Sequence, residues 1–185
     1  MTIKDVIKIS ATLLGEKRVL DYLDGRSEGD GETLTKVDNL TRCANLVISE
    51  LAFTYVKMHK TERVSAVGGK VEFSALSEKI LEVVKVEDAQ ANPLYYQIKP
   101  TYIKLNAQTV DITYAYTPSN YGLTDQTGYT GKEITARTLA LGVNAEYLLI
   151  EREFDQSVMW RDRYVKAVYD GIKPKNGKIK QRKWA

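Results

Sequence analysis

The sequence predicts an α+β fold: a helical bundle domain carrying an inserted small antiparallel β-sheet and ending in a flexible basic C-terminal tail. Three observations predict it. Apolar residues recur every three or four positions over residues 35–59 and again from 133 to 168. Between these stretches the chain switches to short β-branched and tyrosine-rich runs divided by Gly, Asn and Pro. After Asp170 there are six basic residues and no acidic one. The expected organisation is a helical domain from residues 1–61 and 119–170, a β insertion over 62–118, and a basic tail over 171–185.

Each element has its own signal. Thr2 can cap a helix from Ile3, with Ile3, Val6, Ile7 and Leu14 apolar and Gly15 as its stop. A second short helix is expected from Glu16 to Leu23. The acidic, glycine-rich stretch 24–32 reads as a mobile loop; its glycines and irregular ligand order do not suit calcium. The clearest helix follows, with Thr35 as N-cap and Val37, Leu40, Ala44, Val47, Leu51, Tyr55 and Met58 in helical period. Leu46, Ile48, Ala52 and Phe53 widen its apolar face, so it should be buried on more than one side or lie in a subunit contact. Gly68-Gly69 signals a hairpin turn. Strands are expected over 80–86, 95–99, 102–105 and 109–116, the last with Val110, Ile112, Tyr114 and Tyr116 on one face. Residues 121–132 read as a loop. Helical period returns at Glu133 with Ile134, Thr138, Leu141, Ala145 and Leu148, then with Phe154, Val158, Val165 and Val168, for which Asp155 is the expected cap. Two such helices form an αα-hairpin.

Composition narrows the chemistry. A chain of 185 residues, 43% hydrophobic and 28% charged, can bury a real core and is not broadly disordered. No apolar run approaches the roughly 20 residues of a membrane span, and the first residues lack the apolar stretch of a signal peptide. One cysteine, Cys43, excludes an intramolecular disulfide, and one histidine, His59, excludes a two-histidine metal site. Cys43 reads as a small core residue, and His59 as a cation at a helix C-terminus. Gly68-Gly69-Lys70 lacks the rest of a phosphate loop and reads as a turn. The carboxylate pairs Glu151/Glu153 and Glu87/Asp88 read as solvated, since hydrolytic work needs two carboxylates facing each other across a cleft. No catalysis, metal or cofactor is expected.

Two surface signals remain. Of twelve tyrosines, many fall in or beside the β region, and Tyr95, Tyr96, Tyr121 and Tyr129 are the candidates for a protein interface. Base stacking on the sheet is disfavoured because its strands carry few interleaved basic residues. The tail places Lys173, Lys175, Lys178, Lys180, Arg182 and Lys183 beside Trp184, a residue type enriched at interface hot spots. All 24 acidic residues precede the tail, against 21 of the 27 basic ones, so the body is mildly acidic. The overall pI near 8.8 therefore describes the tail.

The layout resembles the head–tail adaptor proteins, of tail-tube or gatekeeper type, of short-tailed bacteriophages. The residues that carry the resemblance are Glu50-Leu51-Ala52-Phe53 before Arg63-Val64-Ser65-Ala66, then Gly69 to Ser74 with the 80–86 strand, Val110 to Pro118, Gly142 to Leu148, Phe154-Asp155, and Trp160 to Tyr164. It spans most of residues 1–170; the loop at 24–32 and the lysine-rich end do not match the pattern. The resemblance implies a structural virion protein of the neck or tail, assembled in the host cytoplasm. Such adaptors form a ring, typically of twelve, that joins the portal protein to other tail proteins while genomic DNA passes through the lumen without sequence-specific binding. On this reading the tail from Lys173 to Trp184 docks on the portal. The competing expectation is a nucleic-acid-binding module acting through the same basic tail.

Overall fold

In the computed structural model, residues 1–173 are described. Among them are five α-helices and two three-stranded antiparallel sheets, forming a mixed α+β domain. Helix α1 spans Ile3–Leu14 and starts as its sequence dictates. The Thr2 hydroxyl accepts from the Asp5 N–H, the Asp5 carboxylate accepts from the Thr2 N–H, and Gly15 closes the helix in the left-handed region. Helix α2 is Lys17–Leu23.

Helix α3 spans Gly31–Glu50, which corrects the expected start. Asp30, not Thr35, is the N-cap: its carboxylate accepts from the Thr33 N–H at 2.8 Å, so the acidic stretch ends as a cap. Thr35 lies one turn inside, donating to the Gly31 carbonyl. The far end is corrected as well. After Glu50 the backbone widens into a single π-helical turn, Leu51–Tyr55, and Met58 already begins strand β1, Met58–Ser65. His59 therefore caps no helix; it stands exposed on β1 opposite Ala115.

The β region forms two sheets where one was expected. Strands β2 (Lys70–Glu72), β3 (Lys79–Glu87), β4 (Tyr96–Ile98), β5 (Tyr102–Leu105) and β6 (Thr109–Thr117) complete them. The first sheet has the order β1-β6-β3, the second β2-β5-β4. Gly68-Gly69 makes the expected tight turn, both residues at positive φ, with Val67 and Lys70 exchanging backbone hydrogen bonds. That turn carries the chain from the first sheet to the second instead of pairing its flanking strands. Val71, Leu76, Val83, Val86, Ile103, Leu105, Val110, Ile112 and Tyr114 form one apolar cluster shared by both sheets. Met58 pairs with Tyr116, so the chain enters and leaves the β region side by side.

Helix α4, Ala136–Ile150, is capped by the Thr135 hydroxyl and lies at the centre of the bundle, buried on nearly every side from Thr138 to Ala145. It occupies the position expected of α3. Gly142 makes this possible: a Cβ there would stand 2.8 Å from Val47 and 3.0 Å from the Tyr164 ring. Helix α5, Phe154–Ile172, folds back along α4 as the expected αα-hairpin, and its run to Ile172 takes in the first residues assigned to the tail. Asp155 does not cap it. Glu153 holds the N-cap position without a side-chain bond, after a turn in which Arg152 takes φ +65° and the Glu153 N–H bonds the Leu148 carbonyl. Its buried face also differs from the expected one: Ser157, Trp160, Tyr164 and Val168 face the bundle, while Phe154 and Val158 face outward.

Candidate interaction surface

The outward residues of α5 belong to a larger uncovered face. Arg161 ties three helices together there. Its guanidinium donates to both carboxylate oxygens of Glu50 at the end of α3, one at 3.0 Å, and to Glu146 of α4 at 3.3 Å. Burial works against the charge on Arg161, and the two carboxylates more than restore it, so its pKa is raised. Residues three or four apart on a helix are surface neighbours. Leu46 and Phe53 thus lie about one turn either side of Glu50, Ile150 one turn beyond Glu146, and Val158 and Phe154 one and two turns before Arg161. Phe53 is 70% exposed, Val158 62%, Phe154 59%, Leu46 57% and Ile150 52%. Exposed apolar side chains bordering an ion-pair network are able to pack against another protein surface.

The expected interface tyrosines do not come together. Tyr95 is 83% exposed beside β4, and Tyr96 packs partly against the sheet core. Tyr121 and Tyr129 pack against the helical core far along the chain from them. The Tyr121 backbone exchanges two hydrogen bonds with the Asn45 side chain, and burial pushes its hydroxyl up to about 12. The Tyr129 hydroxyl donates to the Val56 carbonyl at 3.1 Å. Of the tail candidates, Lys173 bonds Asp170 at 3.2 Å. Lys175, Lys178, Lys180, Arg182, Lys183 and Trp184 lie outside the described residues.

One cluster brings a serine, a lysine and a carboxylate together. On β1, Lys60 Nζ and Glu62 both reach Ser77, a serine–lysine–carboxylate grouping. Burial would raise the Glu62 carboxyl, but the Ser77 hydroxyl and N–H together with Lys60 outweigh it and hold it at about 2. The hydrogen bond to Glu62 raises Lys60 above its ordinary value. An ammonium that stays protonated takes no proton from a serine, and this serine donates to a carboxylate. The cluster pins the loop before β3 to β1. Cys43 is buried, and burial raises its thiol to about 12, away from nucleophilic character. Asp88 folds its own loop, accepting from the N–H groups of Gln90 and Asn92. Among the described residues no three His, Cys, Asp or Glu side chains gather as a metal site, and no helix is long and apolar enough to cross a membrane.

No protein-family model matches the chain, and no curated protein matches it.

Proposed function

We propose that this chain is a structural virion subunit: a head–tail adaptor whose copies form a ring, of the twelvefold kind the resemblance implies, joining the portal to the next tail protein around the DNA exit path. One observation carries the reading: the uncovered apolar face on α3, α4 and α5 around Arg161. A ring closes through a heterologous contact, in which one patch on a subunit meets a different patch on its neighbour. An apolar face left open on a folded subunit, with its central charges already paired, is built for such a contact. Glu50 and Glu146 both bond the Arg161 guanidinium, so no charge in this network lacks a partner when the neighbour docks on the apolar residues around it. The segment beginning at Lys173 is assigned to the portal, with Trp184 as its anchor and its lysines meeting acidic surface. The test is reconstruction of the neck assembled on its portal. Phe53, Phe154 and Val158 buried between adjacent copies is the expected result. Copies that sit apart on the portal, with this face in water, would overturn the reading. Portal binding unchanged after truncation at Ile172, with DNA affinity lost instead, would favour a nucleic-acid role for the tail.

A further inference from the structure

The two sheets treat their cations differently. On the first sheet and its entry, Lys57 pairs with Glu82, Lys60 with Glu62, Arg63 with Asp111 and Lys85 with Glu87, and among the described residues only Lys79 has no carboxylate partner. On the second sheet Lys70 and Lys104 stand directly opposite each other in the β2–β5 register, both exposed. Neither has a carboxylate oxygen within 4.0 Å among the described residues. Like charges set directly opposite one another destabilise a strand pair. Strand alternation puts both on the face turned away from the buried Val71, Ile103 and Leu105, and Gln97 of β4 continues their row. The Lys70 ammonium lies 4.9 Å over the Tyr102 ring, on the same face. Glu72, opposite Tyr102, is the one carboxylate in these three strands, and Lys99 follows β4. Beside the row an open cleft of about 590 Å³ is lined by Gly68, Gly69, Tyr95, Gln97, Lys104 and Asn106, with no acidic residue.

We infer that this outer face of the second sheet is a sequence-independent contact for the DNA backbone. Successive phosphates lie along the Lys70–Lys104 row, where their charge removes the repulsion between the two ammonium groups. The side-chain amides of Gln97 and Asn106 donate to phosphate oxygens from the cleft. The site is an open cleft beside a row of donors, which fits a polyanionic strand better than a single enclosed anion. Nothing in it reads base edges, so it gives affinity without sequence preference. Two phosphate contacts per subunit make a weak, salt-sensitive guide that does not arrest moving DNA. The inference rests on the adaptor reading only for what brings DNA within reach, and it names the surface that would face it.

The test uses the full chain and a labelled random 30-base-pair duplex, followed by fluorescence anisotropy across a salt series. The double variant Lys70→Gln/Lys104→Gln is compared with a charge-matched control, Lys132→Gln/Lys166→Gln, at exposed positions elsewhere. The site variant should bind at least tenfold more weakly at 0.1 M salt, and its log K against log salt should be shallower by about 1.8. The control should stay within twofold of the parent, and a second duplex of scrambled sequence should bind alike. The site variant should melt no lower than the parent, because a like-charge pair has been removed; this shows that the loss is not unfolding. Equal binding by site variant and control overturns the inference, and so does competition by polyglutamate as effective as unlabelled duplex. Ring assembly is measured separately on the portal. A chain that meets these DNA expectations but never assembles refutes the adaptor reading alone.

Discussion

The helical bundle and the β region each bury an apolar face, and they differ in what is left over. The bundle wraps α4 so fully that side chains from Thr138 to Ala145 are enclosed, yet it leaves Phe53, Phe154 and Val158 uncovered. The β region encloses Ile103, Ile112 and Tyr114 between two small sheets, and its exposed apolar residues, Val84 on β3 and Ile98 on β4 among them, are spread over separate strands. What sets it apart is surplus charge, in the opposed pair Lys70 and Lys104. Apolar surplus is relieved by another protein surface, and unpaired like charge by an anion. One chain thus carries two kinds of unfinished surface, on two parts built around separate cores. Tyr116 touches both cores, and Met58 reaches from the first strand into the helical one.

The bundle should lose the most stability from a single change. Tyr164 is fully buried between α3 and α4, with its ring against Gly142. Tyr164→Ala should lower stability by about 3–5 kcal/mol, the usual range for emptying an aromatic core site. Denaturant titration followed by circular dichroism reads this directly. If the cores are distinct, a probe in the β region should move less than one in the bundle; identical displacement of both would merge them into one cooperative unit. Gly142→Ala attacks the same contact by filling it. A methyl group 2.8 Å from Val47 must push α3 or the Tyr164 ring aside, at about 1–3 kcal/mol, read as a lower denaturation midpoint.

The β region should respond to acid through Glu62. Its carboxyl is held at about 2 in the folded chain, against an ordinary value of 4.5. A carboxyl depressed by folding contributes stability that is fully present above its unfolded value and lost as pH falls through its folded one. Stability from this group should therefore hold above about pH 4.5 and vanish toward pH 2. Glu62→Gln should lose about 1–2 kcal/mol at neutral pH, where the carboxylate accepts from the Ser77 hydroxyl and N–H. The stability curves of the parent and variant should converge in acid. Curves that stay parallel down to pH 2 would mean the contact adds nothing.

Much of the architecture was legible in the sequence where the governing interactions are local. Thr2 and Gly15 bound α1, Gly68-Gly69 makes its turn, and the alternation of Val110, Ile112 and Tyr114 marks β6. What escaped depends on partners distant in sequence. Tyr55 and Met58 continue the helical period of α3, so nothing in spacing betrays the π-turn that ends it. Strand β3 carries two bulges, at Ile80/Glu82 and Val83/Lys85, so its inward residues Ile80, Val83 and Val86 fall three apart and not two. On α5 the visible period of Phe154, Val158 and Val165 is real, but period says only which residues share a flank. Tyr164 faces the bundle because α4 offers its ring the space at Gly142, beside Val47 of α3. The Lys70–Lys104 row is invisible in the sequence, since thirty-odd residues separate two positions that become neighbours only through strand register.

The smallest effect on stability is the sharpest probe of the bundle's surplus. Phe53→Asp and Val158→Asp replace side chains that are 70% and 62% exposed, so little packing is lost in the isolated subunit. Each should change unfolding stability by no more than about 0.5 kcal/mol, the normal range for surface substitutions. If the face meets a neighbouring copy, the same change places a carboxylate in an apolar contact where no cation awaits it, because Arg161 is already engaged by Glu50 and Glu146. Assembly should then fail while the subunit stays folded, seen as an unchanged melt together with loss of ring density by negative-stain imaging on the portal. The conservative pair Phe53→Leu and Val158→Ile keeps the face apolar and should assemble. Rings that form normally with either aspartate would remove the bundle from the copy-to-copy contact. Assembly lost with the conservative pair as well would show that the face is fitted by shape and not merely by its apolar character.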